Sequence, residues 1–280
     1  MTDYFAGIDI GSTMTKVVIM AEQVVASACG ATGPEHRKLA NKVMEEALSR
    51  AGLRFNQISY VVATGYGRIN VPFADRQITE ISCHARGVSS LLPTARTVID
   101  IGGQDCKGIK LRDGKVVDFV MNDKCAAGTG RFLEVIAEGL GIKLEEMGEL
   151  SLTSRNKVSI SSTCTVFAEQ EVVSRLADGV PVADLVAGVH RGIASRVFSM
   201  VSRLKIEPDV AVTGGGAKNI GLVRALEAKL GYPVIIPPEP LFTGAIGAAL
   251  LGKEAALDAA KKGIPLDRSR HPLKEVTFFA

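Results

Sequence analysis

The chain has 280 residues, of which 46% are hydrophobic and 22% charged, as expected for a globular protein with one large or two ordinary domains. The formal net charge of +3 is too small to indicate nucleic acid binding, and no apolar run has the length of a membrane span. Asp3 stands where a signal peptide would have positive charge, and the five cysteines have no periodic spacing. We therefore expect a cytoplasmic protein in a reducing compartment, with neither a nucleic acid nor a membrane partner.

The first third of the chain predicts a β-hairpin followed by alternating helices and strands. Strands are predicted over residues 5–10, 16–20 and 24–27, a helix over 37–51 that ends at Gly52, a strand over 60–64, and a helix over 82–92.

An internal repeat then begins near residue 97. Residues 98–107 repeat residues 7–16, with an aspartate, a glycine and a lysine in the same register. The segments that follow, 16–25 and 107–117, also correspond if one residue is inserted in the second. The repeat predicts two halves of like fold, each of which begins with a β-hairpin.

The tips of these two hairpins suit phosphate binding. Small residues allow backbone N–H groups to approach a phosphate, and carboxylates at the strand ends are the ligands that Mg²⁺ prefers. The candidates are Gly11, Ser12, Thr13, Gly102 and Gly103 for phosphate, Lys16 for the terminal phosphates, Asp9 and Asp100 for Mg²⁺, and Gln104 for the attacking water. A single such tip could equally be an ordinary glycine turn, so the prediction depends on the pair.

A third glycine-rich turn follows a predicted strand over residues 210–213 and precedes a predicted helix over 220–230. Gly214, Gly215, Gly216 and Asn219 form this turn, which would allow a flat purine to lie against bare backbone. The alternative is a Rossmann-like turn. The spacing of that motif is absent, and the strand is not N-terminal, so we favour a purine nucleotide between the two halves.

Two cysteines each precede a predicted helix. Cys125 lies before a helix with Thr129 as its N-cap, and Cys164 before a helix with Thr165 as its N-cap and an apolar stripe of Phe167, Val172, Val173 and Leu176. Oriented N–H groups and the helix dipole would favour thiolates there, as in a cofactor site. The alternative is that both are small buried hydrophobic residues, because no Cys-x-x-Cys pair supports a ligand role.

Three motifs resemble those of a known superfamily. Asp9-Ile-Gly-Ser-Thr, Asp100-Ile-Gly-Gly-Gln and Thr213-Gly-Gly-Gly resemble the phosphate-one, phosphate-two and adenosine motifs of acetate and sugar kinases, heat-shock chaperones and actin. Residues 63–68, 121–131 and 160–169 resemble one branch, the activator ATPases of 2-hydroxyacyl-CoA dehydratases. That branch also includes ATPase subunits of benzoyl-CoA reductases and reductases of double-cubane cluster proteins. The resemblance covers about residues 4 to 252.

The resemblance implies an α/β fold of duplicated ribonuclease-H-like halves with a nucleotide cleft between them. It divides the chain into a first half (1–94), a second half (95–242), and a helix that packs back on the first half together with a tail (243–280). A helix is predicted over 242–251, and the residues from about 261 to 280 are predicted to form an extended arm.

The resemblance also implies a homodimer that holds one [4Fe-4S] cluster through Cys125 and Cys164 of both chains, and that binds ATP or ADP with Mg²⁺. An upstream ferredoxin or flavodoxin would supply an electron, which would pass to an iron-sulfur acceptor of the dehydratase or double-cubane type. Cys29, Cys83 and Cys106 match no ligand position, and His84 is interpreted as a packing residue.

Three other functions stay open at this point. The chain could be the ATPase subunit of a benzoyl-CoA reductase, or a small-molecule kinase in which the cysteines are structural. A chaperone-like nucleotide switch is disfavoured, because 280 residues leave no room for a peptide-binding domain.

Overall fold

The computed structural model of the chain describes residues 2–161, 164–268 and 272–273. Backbone contacts divide it into two compact units, the first from segments 1–93, 113–116 and 241–280, and the second from segments 94–112 and 117–240. Within these described ranges, no helix has the length and apolar character needed to cross a membrane.

The first unit is built on a five-stranded sheet in the order β3-β2-β1-β4-β5. Its strands are β1 (Tyr4–Ile10), β2 (Met14–Met20), β3 (Val24–Ala31), β4 (Ile58–Thr64) and β5 (Arg76–Gln77). Strands β1 to β3 form an antiparallel meander, and β4 and β5 continue the sheet in parallel. The predicted hairpin, third strand and fourth strand are confirmed. The two-residue β5 was not predicted, because both of its residues are exposed and polar and give no strand signal.

Three helices belong to the first unit: α1 (His36–Ala51), α2 (Glu80–Leu91) and α8 (Thr243–Lys262). Helix α2 begins two residues before the predicted start, because the Thr79 hydroxyl caps it by accepting a hydrogen bond from the Ser82 amide. The prediction that the last helix ends at Leu251 was wrong. It continues to Lys262 and ends at Gly263, whose φ of 64° is the left-handed C-cap conformation.

The described part of the C-terminal tail packs on its own unit. Leu266 contacts the apolar layer that α8 shares with the sheet, and Leu273 contacts the layer between the sheet and α1. The rest of the predicted arm, residues 269–271 and 274–280, lies outside the described residues.

The second unit is built on a four-stranded sheet in the order β8-β7-β6-β9. Its strands are β6 (Thr97–Ile101), β7 (Cys106–Arg112), β8 (Lys115–Asn122, whose first residues belong to the first unit) and β9 (Val210–Thr213). Five helices complete it: α3 (Gly130–Leu140), α4 (Met147–Leu152), α5 (Thr165–Ala177), α6 (Val182–Val201) and α7 (Ile220–Leu230).

Helix α6 forms the centre of this unit and was not predicted. Its inner face buries Leu185, Val189, Ile193, Val197 and Val201 in the main apolar core. These residues recur every four positions, close to the period of an α-helix, so the signal was present in the sequence.

The predicted duplication is confirmed by strand register. Asp9 of β1 lies opposite Lys16 of β2, and Asp100 of β6 lies opposite Lys107 of β7. The repeat extends further than the sequence indicated, since Asp9 also pairs with Thr64 of β4 and Asp100 with Thr213 of β9. The α/β class and the repeated half predicted from the sequence are therefore both present.

Candidate functional site

The first hairpin tip, residues 11–13, joins β1 to β2 in the first unit. The Gly11 amide donates to the Met14 carbonyl at 3.1 Å and closes the turn. The amides of Ser12 and Thr13 have no partner among the described residues, so both can donate to a phosphate. Behind the tip, the Lys16 ammonium lies 3.0 Å from the buried Asp9 carboxylate.

The second hairpin tip, residues 102–105, repeats this geometry in the second unit. The Gly102 amide donates to the Asp105 carbonyl at 2.9 Å, and the amides of Gly103 and Gln104 have no partner within the described ranges. Asp100 is 3% exposed and accepts a hydrogen bond of 2.8 Å from the Thr213 hydroxyl. The Gln104 side chain is exposed at the tip.

A glycine turn follows the parallel strand next to each aspartate. Gly65 has a φ of 85° and Gly214 a φ of 80°, and a β-carbon at either position would collide with the backbone of the strand end and the aspartate side chain. Thr64-Gly65-Tyr66-Gly67 is therefore the counterpart of Thr213-Gly214-Gly215-Gly216. This equivalence was not predicted, although the shared Thr-Gly-x-Gly spacing indicates it in the sequence.

In the turn after β9, Gly214 and Gly216 both pack against Ile101, whereas a β-carbon at Gly215 would meet no atom within 4 Å. Gly215 is thus the position in this turn with open space for a ligand. The Asn219 side chain has a different environment. Its oxygen accepts from the Leu222 amide at 3.0 Å and caps α7, and its nitrogen contacts His190 Nε2 at 3.1 Å. Nucleotide binding by Asn219 stays a prediction.

His190 supports this turn from α6. The side chain is buried, and burial together with the neighbouring Arg191 charge lowers its pKa from 6.5 to about 4. The imidazole is therefore neutral at physiological pH, as its contact with the Asn219 amide requires.

The two candidate thiols are accessible, whereas two other cysteines are not. Cys164 is exposed and Cys125 half-buried. Burial raises the pKa of Cys83 to about 12 and also raises the pKa of Cys106, so both remain thiols. Cys29 is exposed on β3 in the other unit.

The helix starts that follow these thiols differ from the predictions. Thr129 occupies the N-cap position of α3, but its hydroxyl donates to the Ala126 carbonyl at 2.6 Å and does not cap the helix. Cys164 itself, and not Thr165, is the N-cap residue of α5. The apolar stripe of α5 is only partly buried, since Phe167 is 63% exposed and Val173 is 43% exposed.

The prediction that the first amides of α3 stabilise a thiolate at Cys125 was wrong, because these amides donate to other groups. The Gly130 amide donates to the Gly102 carbonyl at 2.9 Å, and the Arg131 amide donates to the Gly103 carbonyl at 2.7 Å. The start of α3 is therefore bound to the second hairpin tip. In contrast, the first three amides of α5 make no hydrogen bond to a described residue.

The Cys125 loop, residues 122–129, is compact. The Asn122 amide group donates to the carbonyls of Cys125 and Ala127 at 2.8 and 3.2 Å. Beside the loop lies a cavity of about 340 Å³, which is lined in part by Gly128, Arg196 and Arg203.

The Cys164 segment, residues 154–161, is fixed to α6 and α5. The buried Asp184 carboxylate accepts from Ser154 Oγ and the Arg155 amide, both at 2.8 Å, and from the amide and side chain of Asn156 at 3.0 and 2.9 Å. These donors lower the pKa of Asp184, the Asn156 amide most strongly. Further contacts are Arg191 to the Val158 carbonyl at 2.7 Å and Ser161 to the Glu171 carboxylate.

The thiols fit an iron-sulfur cluster in part. Thiolate sulfur is the ligand that such clusters prefer, and both accessible cysteines lie near helix starts in the same unit, Cys125 in the loop before α3 and Cys164 at the N-cap of α5. Among the described residues, however, no group of three or more His, Cys, Asp or Glu side chains could hold a metal. Two thiols per chain leave a four-cysteine site half complete.

The repeated halves with glycine-rich hairpin tips are typical of a class of nucleotide-binding proteins. Comparison with known protein families identifies the family within this class. The model of the BadF/BadG/BcrA/BcrD ATPase family matches residues 6–252. The chain belongs to this ATPase family.

Similar proteins of known name agree with this assignment. The chain is 51% identical over 261 residues to the activator of lactoyl-CoA dehydratase from Anaerotignum propionicum, which covers 90% of this chain and 98% of that protein. The crystal structure of component A of (R)-2-hydroxyglutaryl-CoA dehydratase from Acidaminococcus fermentans is 44% identical, with a TM-score of 0.89 over 91% of this chain and 100% of that one. The activator of 2-hydroxyisocaproyl-CoA dehydratase from Clostridium difficile with bound ADPNP is 47% identical, with a TM-score of 0.88 over 92% and 97%.

Proposed function

We propose that this protein is an ATP-hydrolysing electron donor that passes a low-potential electron to an iron-sulfur partner of the 2-hydroxyacyl-CoA dehydratase or double-cubane type. The observation that supports the proposal most directly is the pair of accessible thiols in the second unit, Cys125 in the loop that leads to α3 and Cys164 at the N-cap of α5. A small-molecule kinase has no need of accessible cysteines in such positions.

Cys125 and Cys164 would hold the cluster. Because one chain supplies only two thiolates, a homodimer in which both chains contribute the pair completes a [4Fe-4S] site. The amides at the start of α5, which make no hydrogen bond to a described residue, would donate to the thiolates or sulfides and stabilise their negative charge. The cluster would supply the one-electron chemistry, which no side chain provides.

Asp9, Asp100 and Lys16 are the groups that we propose for Mg²⁺ and the terminal phosphates. The amides of Ser12, Thr13, Gly103 and Gln104 would donate to phosphate oxygens, with Gly11 and Gly102 closing the two turns. Gly214, Gly215, Gly216 and Asn219 would lie at the adenosine, and Gln104 would orient the attacking water. The ATPase family and the nucleotide-bound relative support this part of the proposal.

The upstream donor would be a ferredoxin or flavodoxin, because a [4Fe-4S] cluster accepts one electron at a time. The names of the relatives favour a dehydratase as acceptor. The related ATPase subunits of benzoyl-CoA reductases would use the same sites with a different acceptor.

The test is anaerobic purification followed by a redox titration. We expect brown protein with about four irons per dimer. Its cluster potential should differ between ADP and a non-hydrolysable ATP analogue, and nucleotide affinity should differ between oxidised and reduced protein by the same free energy. Colourless, iron-free protein that phosphorylates a small molecule would refute the proposal in favour of a kinase.

A further inference from the structure

The two candidate cluster thiols are attached to different parts of the second unit. The Cys125 loop leads within a few residues to Gly130 and Arg131, whose amides donate to the second hairpin tip at 2.9 and 2.7 Å. The Cys164 segment makes its described polar contacts with α6 and α5 through Asp184, Arg191 and Glu171. Only the first of these attachments involves a residue predicted to bind nucleotide.

The second hairpin tip and the Cys125 loop are connected by a few hydrogen bonds at the start of α3. The carbonyls of Gly102 and Gly103 are held by α3, while the amides of Gly103 and Gln104 remain available for a phosphate. At the other end, the Thr129 amide and hydroxyl both donate to the Ala126 carbonyl, at 3.0 and 2.6 Å, directly beside Cys125. A displacement of the tip therefore moves the start of α3 through the Gly130 and Arg131 hydrogen bonds. Thr129, the preceding residue, transmits this movement to Ala126, which is adjacent to Cys125.

Gly130 is the closest point of this link. A β-carbon there would lie 3.2 Å from the Gly102 carbonyl oxygen and 3.3 Å from Gly103 Cα, closer than ordinary van der Waals contact. A side chain at this position would therefore require the backbone of Gly102 and Gly103 to shift away from α3 by a few tenths of an ångström. The helical backbone of Gly130 does not itself require glycine, because its φ is not positive.

We propose that Gly130 is a positioning residue that couples the second hairpin tip to Cys125, so that the Cys125 loop responds to the phosphate state of the nucleotide while residues 154–161 stay attached to α6. This inference rests on the proposed function, because it requires nucleotide at the tip and a role for both thiols. It adds an asymmetry within each chain: the loop that contains Cys125 responds to the nucleotide, and residues 154–161 do not.

The test is hydrogen exchange of the full-length protein, as purified, with saturating ADP or saturating non-hydrolysable ATP analogue. A terminal phosphate that binds the Gly103 and Gln104 amides holds the tip against α3. We therefore expect exchange in residues 122–131 to be at least about fivefold slower with the analogue than with ADP. Exchange in residues 154–161 should change by less than about twofold.

The substitution Gly130→Ala should remove most of this difference between the nucleotides. The matched control is Gly139→Ala in the same helix, where the added β-carbon would meet its nearest atom at 3.4 Å, an ordinary contact. Both changes raise helix propensity, so a loss of folding is not expected from either. The control should keep the wild-type response.

Equal responses of the two segments in the wild type, or an undiminished response in Gly130→Ala, would overturn the proposal. Iron content and electron transfer are measured on the same preparations. Protein without iron that still shows the selective response at residues 122–131 would support the link while refuting the electron-donor function. Protein that binds no nucleotide would overturn both.

Discussion

Lys107 forms a shorter ion pair with Asp105 than with Asp100: its Nζ atom lies 2.6 Å from Asp105 Oδ2 and 3.5 Å from Asp100 Oδ2. In the first hairpin, the position of Asp105 is occupied by Met14, and Lys16 lies 3.0 Å from Asp9. The two repeated aspartates therefore have different electrostatic environments. Asp105 forms the shorter of the two ion pairs with Lys107, and we infer that this makes the Asp100 carboxylate more available to Mg²⁺ than the Asp9 carboxylate, which lies 3.0 Å from Lys16.

We expect Asp105→Asn to weaken Mg²⁺ binding although Asp105 is not a proposed ligand. Without the Asp105 charge, Lys107 would move closer to Asp100 and compete with the cation. The Mg²⁺ concentration for half-maximal ATP hydrolysis should rise by about threefold to tenfold. Phosphate release measured over a Mg²⁺ titration tests this, and an unchanged midpoint would show that Lys107 does not compete.

The changes Asp100→Asn and Asp9→Asn should each reduce ATP turnover strongly. Either removes a full negative charge from the proposed Mg²⁺ site while it retains the shape of the side chain. A loss of about 100-fold or more in kcat is expected, with the iron content unaltered. Wild-type turnover in Asp100→Asn would contradict its assignment.

Replacement of Cys125 or Cys164 by serine should prevent the cluster from assembling. Serine is a poor ligand for iron in such clusters, and in a homodimer each substitution occurs at two of four corners. Iron content and the visible absorption of the cluster are the measurements. Cys29→Ser is the control, because Cys29 is an exposed thiol on β3 that should keep the iron. A full cluster in Cys164→Ser would mean that another group is the ligand.

Asp184→Ala should loosen the Cys164 segment. The substitution leaves the donors of Ser154, Arg155 and Asn156 without their acceptor, so exchange in residues 154–161 should rise by about tenfold and iron occupancy should fall. Asp184→Asn should restore most of the segment, since it keeps one oxygen and the Asn156 amide group can rotate to accept from the new nitrogen.

The control for this experiment is Asp178→Ala. Asp178 is exposed at the C-terminus of α5, and its side chain makes no hydrogen bond or ion pair with a described residue. Hydrogen exchange at the wild-type rate in residues 154–161 of Asp184→Ala would show that the contacts of Arg191 and Glu171 are sufficient to hold these residues.

His190 should make the second unit less stable in mild acid. Its pKa is about 4 in the folded protein and 6.5 in the unfolded chain, so the unfolded chain binds more protons between these values. The stabilisation of the folded state by the neutral His190 side chain is complete above pH 6.5 and declines as the pH falls toward 4. From pH 7 to pH 5 the free energy of unfolding should decrease by about 2 kcal/mol through this residue. Urea unfolding of the wild type and of His190→Asn at pH 5 to 7 tests this prediction. If the free energy of unfolding depends on pH equally in both proteins, His190 is not the residue responsible.

The sequence by itself determined the repeated hairpins, most of the helices that follow them, and the two cysteines before helix starts. These features depend on local periodicity, turn residues and register, which a linear pattern records. Helix α6 has the same kind of periodicity in Leu185, Val189 and Ile193, so the sequence was also sufficient to predict this helix.

Only the tertiary structure decided which hydrogen-bond donors and acceptors pair with one another. The Thr129 hydroxyl and the amides of Gly130 and Arg131 look from the sequence like an ordinary helix start, yet the hydroxyl bonds to Ala126 and the amides to the second hairpin tip. In the same way, Asp184 binds a segment that lies 28 to 30 residues earlier in the chain. Hydrogen bonds of this kind join segments distant in sequence, and no local propensity specifies the partner, so the attachment of α3 to the tip and of residues 154–161 to α6 arises only when the chain folds.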